Sequence, residues 1–276
     1  MADDHRAVYQ ALLEASEQSI PSALATVLST NGSIPRHAGS KMLIYSDGNI
    51  VGTIGGGKME SEVIAAAKEV ISSGEPRTET YTLNSIANGD PGICGGTATI
   101  FIEAVAVSPT LLVVGGGHVG KALAELAKWM GYRVVLSDDR EAYCNKDYVA
   151  GLDGYIVTKP EQITEKIKIT SYTYVATVTR GLPVDEKLLP QLVKSDAAYI
   201  GLIGSRRRWA ITAKALRENQ GLSDTEIERI HSPIGLELEA ESPKEIALSI
   251  MAEITMLRRG GTGQPMKWHG RLDELE

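Results

Sequence analysis

The sequence lacks the features of secreted and membrane proteins. It has only two cysteines, Cys94 and Cys144, which are too few for a disulfide framework and lack the spacing of a zinc knuckle. No apolar run approaches the roughly 20 residues that a membrane helix requires, and no secretory signal opens the chain. We therefore expect a cytoplasmic protein with no membrane partner.

Positive charge is also scarce. The chain has 28 Lys and Arg residues against 35 Asp and Glu, a net charge of −7, and its basic residues do not form a long cluster. Nucleic-acid binding normally needs a basic face, so we expect no nucleic-acid partner. The chain also has no internal repeat, and its 276 residues leave room for two ordinary domains.

A glycine-rich turn in residues 111–140 is the most informative motif. It follows an apolar run, precedes a helix-like segment and leads to a second apolar run ending at Asp138. Gly115 permits a tight turn, Gly117 lets backbone N–H groups approach a pyrophosphate, and Gly120 lets the helix pack closely on its strand. Asp138 falls where a carboxylate usually meets a ribose hydroxyl. The motif predicts a Rossmann-like fold with a nucleotide-type ligand, although it also serves helix–strand packing alone.

The pattern of the rest of the chain predicts its domains. Apolar runs and helix-like segments alternate after residue 109, and mixed hairpins and helices come before it. We predict an α/β fold: a smaller N-terminal α+β domain at 1–108, a C-terminal Rossmann-like parallel-sheet domain at 109–260, and a flexible tail at 261–276. Two capping boxes, at Ser223 and Ser242, predict helix starts.

Several polar residues should follow the carboxyl ends of the predicted parallel strands, where ligands bind in such sheets. They are Asp138 and His118, Arg140, Arg180, Ser205 and Arg206. Together they predict a cationic crescent that suits an anionic ligand, because guanidinium groups bind phosphate bidentately. The alternative is that the arginines of 206–208 are solvated first-turn residues, Arg180 caps a carbonyl and His118 makes ordinary hydrogen bonds.

The N-terminal half carries a second glycine turn. Gly55, Gly56 and Gly57 precede a predicted helix and could present a ring of N–H donors, with Glu60 orienting them or meeting a ligand. A structural need for positive φ explains these glycines equally well.

Cys94 is the candidate reactive thiol. Glycines flank its segment, so the sulfur should be accessible and should lie close to backbone N–H dipoles. Such dipoles lower the pKa of a thiol. A buried, inert cysteine is the alternative, and Cys144 is expected to be of that kind. Arg36, on the loop 32–39, is a candidate anion contact.

Nine motifs together resemble one protein family. They are Gly32-Ser-Ile-Pro-Arg36, Gly55-Gly-Gly-Lys-Met-Glu60, Cys94-Gly-Gly96, Gly117-His-Val-Gly120, Ser137-Asp-Asp-Arg140, Thr179-Arg-Gly181 with Asp185, Gly201-Leu-Ile-Gly-Ser-Arg206, Pro233-Ile-Gly-Leu236, and Pro243-Lys-Glu-Ile-Ala-Leu-Ser-Ile250. In this order they resemble the XdhC/CoxI accessory proteins of xanthine dehydrogenase.

The resemblance implies a maturation factor rather than a catalyst with its own turnover. Such a protein would bind the molybdenum cofactor (molybdopterin), support its sulfuration with a cysteine desulfurase and deliver it to the apo-subunit of a molybdenum hydroxylase, as a homodimer. The residues alone leave two alternatives open: an NAD(P)- or FAD-dependent oxidoreductase, and a nonenzymatic nucleotide-sensing module.

Three positions depart from the family pattern. Lys58 stands where many relatives have cysteine, which puts a two-thiol mechanism in doubt. Leu182 replaces a frequent histidine, and Glu239 replaces a common glycine, which affects a local turn.

Overall fold

A computed structural model describes residues 2–83, 96–105 and 108–267 of the chain. The chain divides into two compact units, Met1–Pro109 and Thr110–Glu276, each with its own sheet and its own apolar cores. No helix among the described residues is long and apolar enough to cross a membrane.

The N-terminal unit is a five-stranded antiparallel sheet in the order β3-β2-β1-β5-β4. Its elements are α1 (Ala2–Glu17), β1 (Ser22–Gly32), β2 (Lys41–Tyr45), β3 (Ile50–Gly52), α2 (Gly57–Ser73), β4 (Arg77–Leu83) and β5 (Gly96–Ala104).

Both faces of this sheet are covered, because successive side chains of a strand point to opposite faces. Ala23 and Ala25 of β1 pack in a core with Val63 and Val70 of α2. The intervening Leu24 packs in a separate core with residues of α1, among them Val8.

The C-terminal unit is a six-stranded parallel sheet in the order β11-β10-β9-β6-β7-β8. Its elements are β6 (Thr110–Val114), α3 (His118–Trp129), β7 (Arg133–Asp138), β8 (Gly154–Val157), α4 (Ile163–Lys166), β9 (Thr173–Thr177), α5 (Leu182–Leu192), β10 (Tyr199–Leu202), α6 (Arg206–Gln220), α7 (Asp224–Glu228), β11 (Ile230–His231) and α8 (Pro243–Arg259).

Counted from β6 as the first strand, this order is the 3-2-1-4-5-6 arrangement of dinucleotide-binding sheets. One face packs on α3 and α8 through residues such as Leu123 and Ile250. The other packs on α5 and α6 through Leu188 and Leu216. The predicted fold class is confirmed.

The sequence predicted most elements but missed short ones. Both capping boxes are present, Ser223 with Glu226 and Ser242 with Glu245. The strand predicted at 97–107 ends at Ala104, and β8 and β11 were not predicted. The glycine-rich loop before Gly96 and residues 268–276 of the predicted tail lie outside the described residues, while 261–267 form no helix or strand.

Candidate functional site

The chain passes from β6 to β7 on one side of the sheet and from β9 to β10 on the other, so the strand order reverses between β6 and β9. A small cavity lies at the carboxyl ends of these two strands. We call it the switch-point cavity. It measures about 50 Å³ and its lining includes Gly115, Gly117, Asp138, Arg140 and Arg180. Such a switch point is the usual ligand-binding place of an open parallel sheet.

The three glycines of the turn have different surroundings. Gly115 has a φ of 115°, and a Cβ there would lie 2.5 Å from the carbonyl oxygen of Val178. A Cβ at Gly120 would lie 1.8 Å from the carbonyl oxygen of Gly115, so α3 packs on the turn as predicted. Gly117 has an ordinary φ of −64° and no protein atom within 4 Å of its Cβ position. Only Gly117 therefore leaves space that a ligand could use.

Asp138 is fully engaged within the protein. Its carboxylate accepts hydrogen bonds from the Gly116 N–H at 2.7 Å and from the Arg140 side chain at 2.8 and 2.9 Å. Burial raises the pKa of this carboxyl group, but these hydrogen bonds outweigh burial and lower it to about 2. The carboxylate thus fixes the glycine turn instead of presenting free oxygens to a ribose.

The rim of the cavity is charge-balanced. Arg140 pairs with Asp138 and stacks over the ring of Tyr143, 4.0 Å from its centroid. Arg180 pairs with Asp139 at 2.7 Å. The sequence predicted a cationic crescent, and the structure corrects this, because Asp138 pairs with Arg140 and Asp139 pairs with Arg180.

The other predicted residues of this edge do not line the switch-point cavity. His118 is exposed in the first turn of α3. Ser205 caps α6 by accepting a hydrogen bond from the Arg208 N–H. Arg206 is exposed, pairs with Glu237 at 3.4 Å and lines a different cavity.

From the sequence, Asp185 was only part of a family motif, and a solvated Arg208 was one of the alternatives left open. Asp185 is fully buried and accepts from Arg208 Nη2 at 2.5 Å, and Thr179, which lines the cavity, donates to the same carboxylate. Two signals in the sequence pointed to Asp185: its place in a family motif with Thr179, and its position in the first turn of α5, where the helix dipole favours an acid.

The N-terminal glycine turn is held by Glu60. Its carboxylate accepts from the Thr53 hydroxyl at 2.7 Å and from the Gly56 N–H at 3.2 Å. Gly55, Gly56 and Gly57 all have positive φ, so the structural explanation of these glycines holds. Glu60 was predicted either to orient the turn or to contact a ligand, and its hydrogen bonds show that it orients the turn. A ligand contact by Glu60 or the three glycines stays a prediction.

Residues from three family motifs lie together at one end of the central strands β1 and β5. Gly32 at the end of β1 pairs with Gly96 at the start of β5. A Cβ at Gly96 would lie 2.7 Å from the Ile34 side chain, and one at Gly55 would lie 3.8 Å from Pro35. Arg36, which is half-buried, directly follows Pro35.

The chain has two cysteines, one of which lies among the described residues. Cys94 lies outside the described residues, two positions before Gly96. Cys144 is buried, donates to the Leu136 carbonyl and has a pKa raised by burial, as expected of an inert thiol. Within the described ranges, no group of three or more His, Cys, Asp or Glu side chains could hold a metal ion.

The strand order and the glycine turn define the C-terminal unit as a Rossmann-type domain. Comparison with known families gives a more specific result: residues 111–254 match the XdhC Rossmann domain, and residues 15–82 match the XdhC and CoxI family. The chain belongs to the XdhC and CoxI family.

Two individual relatives are about one-third identical to the chain. The chain is 32% identical over 90% of its length to the uncharacterized protein YqeB of Escherichia coli (strain K12), and 31% identical over 59% of its length to a probable xanthine dehydrogenase subunit from Bacillus subtilis (strain 168). It spans about half of each of these relatives, 45% and 47% of their lengths.

Two further similarities cover nearly the whole chain. The molybdenum cofactor insertion chaperone PaoD of Escherichia coli (strain K12) is 24% identical, with 94% of this chain and 90% of that protein covered. A solved structure described as a xanthine dehydrogenase from Bacillus halodurans has a TM-score of 0.50 at 22% identity and covers 95% of this chain and 97% of that one, which shows similarity of fold.

Proposed function

We propose that the protein binds the molybdenum cofactor and supports the maturation of a xanthine dehydrogenase-type molybdenum hydroxylase. Family membership and the similarity to an insertion chaperone support this role. In this proposal it acts in the cytoplasm as a homodimeric carrier, with the apo-subunit of the hydroxylase as its partner.

The observation that carries the proposal is the open space at Gly117. It lies at the N-terminus of α3, where unpaired N–H groups and the helix dipole attract anions. The cofactor is a pterin that bears a phosphate or a nucleotide, so its anionic end suits this place. A cavity of about 50 Å³ has room for a phosphate-sized group but is far smaller than the roughly 300–1,000 Å³ of a site for a whole small molecule.

The metal end of the cofactor needs a different kind of group. Soft sulfur ligands suit a metal bound by a dithiolene, and Cys94 is the thiol we propose for it. The chain has only two cysteines and Cys144 is buried, so this chain offers no second accessible thiol. We therefore propose that a cysteine desulfurase supplies the sulfur for sulfuration and that Cys94 retains the cofactor.

Anaerobic equilibrium ultrafiltration with molybdopterin tests the proposal. We expect the protein to retain the cofactor, and passage of all of it through the membrane would refute the proposed function. Cys94→Ala should leave the fold intact but weaken sulfuration or retention of the cofactor. Activation of the apo-hydroxylase at the parental level by this variant would remove Cys94 from the mechanism.

An NAD(P)- or FAD-dependent oxidoreductase is the second candidate, favoured by the 3-2-1-4-5-6 strand order. The engagement of Asp138 with Gly116 and Arg140 weighs against it, since those oxygens would have to be released to bind a ribose. Calorimetric titration with NAD, NADP and FAD decides the matter. The absence of binding heat with all three would reject this candidate, together with the nucleotide-sensing alternative for these nucleotides.

A further inference from the structure

A second and larger cavity lies in the C-terminal unit at the carboxyl ends of β10 and β11. We call it the β10–β11 cavity. It measures about 440 Å³, and most of its lining comes from residues 233–240, with Ile203, Arg206 and Ile246 among the others. This volume falls in the range of small-molecule sites, roughly 300–1,000 Å³.

The walls of the β10–β11 cavity are fixed by hydrogen bonds. The Ile234 N–H donates to the Leu202 carbonyl at 3.1 Å, and Ser249 Oγ donates to the Leu236 carbonyl at 2.5 Å. The Gly235 N–H donates to the Glu253 carboxylate at 2.6 Å. A cavity with such walls is preformed, so a ligand would not have to order it.

Glu253 is itself held from two sides. Its carboxylate accepts from the Tyr199 hydroxyl at 2.5 Å and bonds to His231 Nδ1 at 3.0 Å. Burial raises the pKa of Glu253, but these hydrogen bonds and the one from Gly235 outweigh it, and the pKa is lowered. The loop that forms the cavity is therefore anchored to a carboxylate that stays ionised at neutral pH.

The lining combines an apolar floor with a charged rim. Ile203, Ile234 and Ile246 contribute apolar surface. At the rim, Arg206 Nη2 lies 3.4 Å from the Glu237 carboxylate, so a planar donor and a planar acceptor stand side by side. Apolar walls with a few polar groups are typical of small-molecule sites, and the planar Arg206–Glu237 pair suits a planar ligand edge.

Glu239, on the same rim, has a left-handed backbone with a φ of 50°. Glycine adopts this conformation without strain, whereas a residue with a side chain does so at a cost. Strained residues of this kind cluster at ligand-binding sites. The strained backbone at Glu239 therefore places an acidic residue in the lining of the cavity.

We propose that the β10–β11 cavity binds a 2-amino-4-oxopyrimidine ring, the part that pterins and guanine share. One edge of this ring carries an amino group, a ring N–H and a carbonyl oxygen in a row. The Glu237 carboxylate would accept from the two N–H groups, Arg206 would donate to the carbonyl, and Glu239 would add negative charge opposite the amino group. The identity of the ligand as the pterin of the cofactor rests on the proposed function.

Calorimetric titration of the whole chain with pterin, guanosine, lumazine and inosine tests the proposal. Lumazine and inosine lack the 2-amino group, so we expect pterin to bind at least tenfold more tightly than lumazine, and guanosine more tightly than inosine. Whichever of pterin and guanosine binds more tightly identifies the source of the ring. Equal affinities within each pair, or no binding of either aminated compound, would overturn the assignment.

Two variants test the residues. Glu237→Gln replaces an acceptor oxygen with a donor and should weaken pterin binding at least tenfold. Glu239→Gly removes a carboxylate from a position where glycine is relaxed, so its melting temperature should stay the same or rise while pterin affinity falls at least threefold. Glu241→Gln, just outside the lining, is the matched control and should bind as the parent does. Parental affinity in both test variants would refute the proposed contacts.

Failure of this inference is separable from failure of the proposed function. A protein that retains molybdopterin but shows no preference for pterin over lumazine would refute the cavity assignment alone. A protein that binds pterin through Glu237 but does not retain molybdopterin would refute the proposed function alone.

Discussion

Nη2 of Arg208 lies 2.5 Å from Oδ2 of Asp185, a carboxylate that is completely shielded from solvent. The two residues belong to the first turns of α6 and α5, and Thr179 beside them lines the switch-point cavity. The ion pair thus joins two helices directly behind the candidate site, although neither charge contacts the cavity itself.

Removal of the Arg208 side chain should lower the stability of the folded protein. Arg208→Met leaves the Asp185 carboxylate buried without its cation, so we expect a loss of about 3 kcal/mol in the free energy of unfolding. Urea denaturation followed by circular dichroism measures it. Arg206→Met, which removes an arginine with 87% of its side chain exposed, is the control and should change stability by less than about 0.5 kcal/mol.

A double-mutant cycle completes this test. Asp185→Leu with Arg208→Met removes both charges, and the double variant should be more stable than the sum of the two single losses predicts. Strict additivity would mean that the two side chains are not coupled.

In the glycine turn before α3, an alanine substitution should destabilise the protein strongly at Gly120 and only slightly at Gly117. Gly120→Ala places a methyl group 1.8 Å from the Gly115 carbonyl oxygen and should destabilise the fold by about 3 kcal/mol or more. Gly117→Ala meets no other part of the protein within 4 Å and has an ordinary φ, so the loss should stay near the roughly 0.5–1 kcal/mol expected when alanine replaces glycine at a helix N-cap.

The same alanine at 117 occupies the space that we assign to a phosphate. Retention of molybdopterin by Gly117→Ala in ultrafiltration should therefore fall about tenfold or more while the melting temperature falls by no more than about 4 °C. Undiminished retention would show that the cofactor does not use this turn.

Asp138 predicts an acid-dependent loss of stability. Its pKa is lowered from 3.8 to about 2 in the folded protein, so ionisation contributes about 2 kcal/mol of stability above pH 4, and this contribution disappears as the pH falls toward 2. Asp138→Asn should cost about that much at pH 7, and the difference from the parent should shrink below pH 4. Urea titrations at pH 7, 4 and 3 measure it.

Asp139 provides the control for this pH dependence. It is 37% exposed and pairs with an exposed arginine, so Asp139→Asn should change stability by less than about 1 kcal/mol at every pH. A pH-independent difference between Asp138→Asn and the parent would contradict the assigned pKa.

Tyr199 should stabilise the loop of the β10–β11 cavity through Glu253. Tyr199→Phe removes a hydrogen bond to a buried charged group and should cost about 1.5–3 kcal/mol in the free energy of unfolding. It should also raise the pKa of Glu253, so the loss should shrink in acid. Tyr9→Phe, at a tyrosine that is 47% exposed, is the control for chemical denaturation and should behave as the parent does.

The sequence predicted those parts of the fold that local patterns determine. The turn from Gly115 to Gly120, the helix starts at Ser223 and Ser242, and strands such as β2 depend on residues within a few positions of each other. By contrast, β11 has only two residues and exists because it pairs with β10. Periodicity over two residues carries no signal, so only the tertiary structure reveals this strand.

The candidate site was harder to predict because its electrostatics depend on distant partners. Arg180 pairs with a residue 41 positions away, and Arg208 with one 23 positions away. A sequence displays the positive charges of these arginines without the acids that neutralise them. Composition and spacing therefore placed Asp138, Arg140 and Arg180 beside the glycine turn but did not show that acids neutralise the two arginines.

The three hydrogen bonds from Thr53, Ile54 and Gly56 to Glu60 have a kinetic consequence. They shape the N-terminal glycine turn during folding, so the conformational entropy of this segment is lost before any encounter. A molecule that docks there would meet a surface already arranged, and the speed of its association would be set by diffusion and orientation instead of by loop rearrangement.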